Sequence, residues 1–105
     1  MKTSLREEAI LVAARIREEP RPSAILLFGS VARGSETEGS DLDLCLLFDE
    51  MPGRKLDVMR MARSISRSVH KGAMDIVAYS REEREAHIAA GSSFELRLQR
   101  EAVSL

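Results

Sequence analysis

The chain has 105 residues, 44% hydrophobic and 31% charged, with 16 Lys and Arg against 17 Asp and Glu for a net charge of −1. This predicts a single domain over residues 1–105 with one modest core, and it excludes a basic nucleic-acid surface, because the cations are scattered among the acids. Aromatic content of 4% without tryptophan argues against stacking platforms for single strands, so no direct nucleic-acid binding is expected.

No apolar run approaches the ~20 residues of a membrane span. The N-terminus, MKTSLREEAI, lacks the basic-then-apolar pattern of a signal peptide, and a cytoplasmic protein is expected. The lone cysteine, Cys45, lies in an apolar run and reads as a small buried core residue.

Ser4 and Glu7 have capping-box spacing and open a helix through about Glu19. Leu5, Ala9, Val12 and Ile16 recur at helical spacing as one apolar stripe, and Pro20 and Pro22 end the helix. Ser23 to Phe28 reads as a short buried strand. Gly29-Ser30 is a turn, and Val31 to Arg33 make one helical turn closed by Gly34. Ser35 to Ser40 is a polar loop. Asp41 to Phe48 is a second strand, with Leu42, Leu44, Leu46 and Phe48 on one face and Asp41, Asp43, Cys45 and Leu47 on the other.

Pro52-Gly53 marks a turn before a helix from Lys55 to about His70, with Leu56, Met59, Ala62 (or Arg63), Ser66 and Val69 near its apolar stripe. Gly72 suits the end of that helix, and His70 in its last turn suits the helix dipole. Ala73 to Tyr79 is a third strand, with Asp75 and Val77 facing one way and Met74, Ile76 and Ala78 the other. A second capping box, Ser80 to Glu83, opens a helix to about Ala90. His87 within it reads as a surface or packing residue. A last helix runs from Ser92 to about Arg100, and Ala102 to Leu105 form a short edge strand. The order predicts an α/β (α+β) fold, a small mixed β-sheet packed with helices.

The chemistry gathers at Leu26 to Phe48, LLFGSVARGSETEGSDLDLCLLF. In a strand, residues two apart share a face about 6.5–7 Å apart, so Asp41 and Asp43 repel each other, and burial raises the cost. A divalent cation with oxygen ligands relieves both, and Mg²⁺ also takes substrate phosphates. A bare Asp-x-Asp is equally read as two solvated acids at a strand start. Upstream, Gly29 permits close approach of a ligand to the backbone, and Ser30 adds a hydroxyl donor, a combination suited to phosphate. No Gly-Lys-Ser/Thr follows, so this is not a P-loop. Asp75 interrupts the third apolar run and faces the same pocket if the two strands are neighbours; otherwise it is a charge at a strand edge.

Gly29-Ser30, ten residues, then Asp41-Leu42-Asp43 is similar to the G-S-x10-D-x-D signature of the polymerase-β-like nucleotidyltransferase superfamily, and the wider stretch resembles its minimal nucleotidyltransferase (MNT) domains. The resemblance implies a polymerase-β-like nucleotidyltransferase fold. It implies catalytic and metal-holding roles for Asp41, Asp43 and Asp75 with two Mg²⁺ ions, ATP as substrate, and a grip on the triphosphate by Gly29 and Ser30. The resemblance lets Arg33 add charge against the phosphates, although a long arginine in a loop more often reads as solvated. Asp75 completes the second metal site or takes the proton from an acceptor hydroxyl. The resemblance further implies transfer of AMP to a tyrosine of a HEPN-family toxin, as the antitoxin of a type VII-like toxin–antitoxin pair. Two other readings stay open: an antitoxin that neutralises its partner by binding alone, and transfer to a small molecule such as an aminoglycoside. The C-terminal quarter carries no motif.

Overall fold

The computed structural model describes residues 4–37 and 39–105. Glu38, inside the predicted loop Ser35–Ser40, lies outside the described residues. Along the chain run α1 (Leu5–Glu18), β1 (Ala24–Phe28), α2 (Gly29–Arg33), β2 (Leu42–Phe48), α3 (Lys55–Ser66), β3 (Met74–Ser80), α4 (Arg81–Ala89), α5 (Ser93–Glu101) and β4 (Val103–Ser104). Among the described residues, four strands form one mixed sheet in the order β3-β2-β1-β4. β2 and β3 are parallel, while β1 runs antiparallel to both β2 and β4. Among the described residues, no helix is long and apolar enough to cross a membrane.

Local signals explain most of the boundaries. The Ser4 hydroxyl accepts the Glu7 N–H at 3.1 Å, and Ser80 and Glu83 form a full reciprocal capping box. Arg6 donates to the carbonyls of Val31 and Ala32, at 3.2 Å each, and so ties α1 to the end of α2. The alternation of β2 sorts its residues onto two faces. Leu42, Leu44 and Leu46 join Ile25, Leu27, Ile76 and Ala78 in the main core, under α1 (Ala9, Val12, Ala13, Ile16) and α3. Each fully buried Leu or Ile there contributes about 1.5–3 kcal/mol. The opposite face carries a smaller cluster, Phe28, Cys45 and Leu47, covered by Phe94 and Leu98 of α5.

Three details around α3 differ from the expectation. Its buried positions are Val58, Ala62 and Ser66, and Leu56 is 65% exposed. Val58 and Met59 are both apolar, so periodicity alone left the stripe's phase undetermined. The helix ends at Ser66, whose hydroxyl donates to the Ala62 carbonyl at 2.7 Å. His70 therefore does not sit in a last helical turn. It is 4% exposed, with Nδ1 2.8 Å from Glu8 Oε2 and Nε2 3.0 Å from the Ala73 carbonyl, and it fastens α1 to the start of β3. Gly72 is not the helix end either; a Cβ there would lie 3.1 Å from the His70 ring.

His70→Ala is expected to destabilise the fold by about 2 kcal/mol, through a lost hydrogen-bonded bridge and a cavity, measured by urea unfolding. A loss below about 0.5 kcal/mol would show that the bridge is not structural.

Candidate active site

On the sheet face opposite α1 and α3, the strand register sets side chains in ranks. Ala24 pairs with Leu47, Leu26 with Cys45, and Phe28 with Asp43 across β1 and β2. Across β2 and β3, Asp43 pairs with Asp75, Cys45 with Val77, and Leu47 with Tyr79. All but one of these ranks are apolar. The exception, at the end of the face where β2 and β3 begin, sets Asp43 beside Asp75, with Asp41 just before β2. The rule that brings Asp75 here is the parallel β2–β3 pairing, which no local signal announces.

The apolar ranks are sealed by α4 and α5. Phe94 meets Phe28 edge-on at 5.3 Å, and Tyr79 meets His87 edge-on at 4.7 Å. Burial pushes the Cys45 thiol up to about 12, so it is an inert core group. Glu95 is 1% exposed; its Oε1 accepts from Arg84 Nε at 3.0 Å, which clamps α5 to α4.

At the acidic rank, Asp43 is half-buried, while Asp41 and Asp75 are exposed. Burial, then the charge of Asp75, then that of Asp41 push the Asp43 carboxyl up to about 6, and Arg97 and Arg33 partly offset this. Gly29 explains how the chain tolerates this crowding. It has φ 75° and is buried, and a Cβ there would stand 2.2 Å from Asp43 Oδ2. Only glycine lets the backbone pass so close to the carboxylate.

The donor set fits a hard divalent cation. The carboxylates are mutually repelling, and two are exposed side chains able to reorient by rotation about single bonds. Among the described residues, no three His, Cys, Asp or Glu side chains stand as a ready-made metal cage, so binding would require that rotation.

Ser30 is half-buried in the first turn of α2. Arg33, at the end of α2, turns toward α5 and places Nη1 3.1 Å from Glu101 Oε2. Arg97 of α5 pairs with the same residue, Nε to Oε1 at 3.5 Å. Arg97 and Glu101 are the residues that sequence reading did not reach. The available signal was the spacing of Phe94 and Leu98, which places both neighbours along a helix lying on this face.

The family model "Polymerase beta, Nucleotidyltransferase" matches residues 12–91, which hold all three aspartates and Gly29-Ser30. The chain belongs to that family.

Relatives place this nucleotidyltransferase-family chain further. MJ1305 of Methanocaldococcus jannaschii, named as a candidate protein adenylyltransferase, is 43% identical over 42 residues. That match takes in 40% of this chain and spans 29% of the relative's length. Among solved structures, a toxin–antitoxin with AMP-PNP superposes with a TM-score of 0.61 at 17% identity, over 92% of this chain and 70% of that one, a likeness of fold. A candidate nucleotidyltransferase from Sulfolobus solfataricus gives 0.52 at 25% identity, over 82% of each chain. The mixed sheet with packed helices is thus the fold of nucleotidyltransferase structures, as the resemblance implied.

Proposed function

We propose that this chain transfers AMP from ATP to a hydroxyl of a partner protein, a tyrosine of a helical HEPN-type toxin, and so acts as the antitoxin of a type VII-like pair. The observation that carries the reading is the acidic rank, Asp43 beside Asp75 with Asp41 adjacent and Gly29 pressed against Asp43. The name of MJ1305 supports transfer to protein, and the toxin–antitoxin with AMP-PNP supports the pairing and the nucleotide.

The step is an in-line displacement at the α-phosphorus. The acceptor oxygen forms the new O–P bond, and the bond from the α-phosphorus to the bridging oxygen breaks. Pyrophosphate leaves with the electron pair. Asp41, Asp43 and Asp75 would hold Mg²⁺, two ions in the full site, which supplies charge stabilisation at the attacking and leaving oxygens. Gly29 and Ser30 would hold the triphosphate through a backbone N–H and a hydroxyl. Asp75, exposed beside Asp43, would complete the second metal site or take the proton from the acceptor hydroxyl.

The test is to mix the protein, Mg²⁺-ATP and a candidate helical toxin, and to weigh the toxin intact. An added AMP that disappears in Asp41→Asn is the expected result. Neutralisation that survives Asp41→Asn with no change in mass would replace catalysis by simple masking. AMP transfer to an aminoglycoside but to no protein would replace the protein acceptor.

A further inference from the structure

Glu101 stands in an unusual setting for the last residue of a helix. Its side chain is only 14% exposed, although it lies beside the mouth of the acidic site. Arg33 Nη1 lies 3.3 Å from its Oε1 and 3.1 Å from its Oε2, and Arg97 Nε lies 3.5 Å from its Oε1. Burial raises the Glu101 carboxyl, but Arg33 and Arg97 help to more than offset this and hold it below the ordinary range.

These donors are an anion site assembled from two parts of the chain, the end of α2 and α5. Both guanidiniums also bear on Asp43, and Gly29 touches it, so the site adjoins the acidic rank. A carboxylate offers two oxygens in a plane. A terminal phosphate offers three and carries more charge, so it can engage two forked guanidiniums at once with a stronger attraction. Among the described residues, the other nitrogens of Arg33 and Arg97 make no protein hydrogen bond.

We propose that the Glu101 carboxylate, held by Arg33 and Arg97, is a built-in competitor that the terminal phosphates of the nucleotide must displace from this arginine pair. The inference rests on the nucleotide reading above, and it gives α5 a role in setting nucleotide affinity. The helix need not move. Ala102 N–H bonds the Leu98 carbonyl at 2.9 Å and β4 is paired to β1, so only the Glu101 side chain has to swing aside. In the resting protein, Glu101 keeps two arginines ordered and screens them from other anions. Weak polyanions would be excluded, while a metal-bound triphosphate, anchored also at the aspartates, would prevail.

The experiment is isothermal titration of inorganic tripolyphosphate and of AMP, without metal or acceptor, into wild type, Glu101→Gln and Glu101→Ala. Thermal melts establish that each variant is folded. Tripolyphosphate is expected to bind both variants about tenfold more tightly than wild type, in line with removal of one competing charge from a two-arginine site. AMP, which lacks the terminal phosphates, should bind all three alike. Adding Arg97→Ala to Glu101→Gln should cancel the gain. Equal or weaker tripolyphosphate binding by the folded variants overturns the proposal, as does a gain shared by AMP. Because no acceptor enters this titration, failure of AMP transfer to a partner is a separate result, which leaves this one readable.

Discussion

Asp43→Asn is expected to abolish the proposed AMP transfer, by at least about 1,000-fold or ~4 kcal/mol of transition-state stabilisation, while making the metal-free protein more stable at neutral pH. The two effects have one cause. Burial, Asp75 and Asp41 raise the Asp43 carboxyl to about 6, so the folded state holds its proton more tightly than the unfolded chain does. Between about pH 4 and pH 6 the native state then binds more protons than the unfolded one, and stability falls as pH rises. The penalty is absent below about pH 4 and complete above about pH 6. Discounted for the partial exposure of Asp43, it amounts to about 1–2 kcal/mol. Denaturant unfolding in a chelator should therefore favour the variant at pH 7.5 and show little difference at pH 4. Adding Mg²⁺ at pH 7.5 should raise the wild-type midpoint more than the variant's. A gain that persists at pH 4, or a variant less stable at pH 7.5, would sink the account of a site kept at the expense of stability.

Gly29→Ala is expected to be the most damaging single methyl group in the chain. The new Cβ would lie 2.2 Å from Asp43 Oδ2 and 3.1 Å from its Cγ, with φ held at 75°. The left-handed backbone alone costs an alanine about 1 kcal/mol. Relieving the overlap must push the Asp43 side chain away or shift α2, and the sum is about 2–4 kcal/mol together with loss of transfer. A double-mutant cycle isolates the contact. In an Asp43→Ala background, the cost of Gly29→Ala should fall toward the backbone part alone. Equal costs in both backgrounds would mean that the carboxylate does not constrain position 29.

Much of this arrangement is legible in the residues. The alternation in β2 assigns Leu44 and Leu46 to the core and Asp43 and Cys45 to the other face, and the structure keeps that division. Ser80 and Glu83 announce α4, because a capping box satisfies donors that nothing else nearby can reach. Gly29 is legible as a close approach, although what approaches it is also the protein's own Asp43. What escapes is set by tertiary packing. Neither the burial of His70 nor its bridge to Glu8 can be deduced from a helix-ending pattern, because its partner lies on α1. Glu95 lies in the first turn of α5, where an acid is ordinarily solvated, yet its side chain is buried against Arg84. Arg97 and Glu101 look like an ordinary solvated pair one helical turn apart. Only the path of α5 across the sheet brings them to Arg33.

The parallel β2–β3 pairing has a kinetic consequence. Asp43 and Asp75 become neighbours only after the intervening α3 crossover has closed, and parallel strands joined by such a crossover are among the slower contacts to form. A slip of one residue in that register would turn Asp75 into the hydrophobic interior and expose Ile76, so misregistered chains are penalised strongly. Recovery of activity after dilution from denaturant should therefore lag the return of helical signal from α1 and track the final closure of the sheet. Enzymatic competence then serves as a clock for the last long-range event in folding.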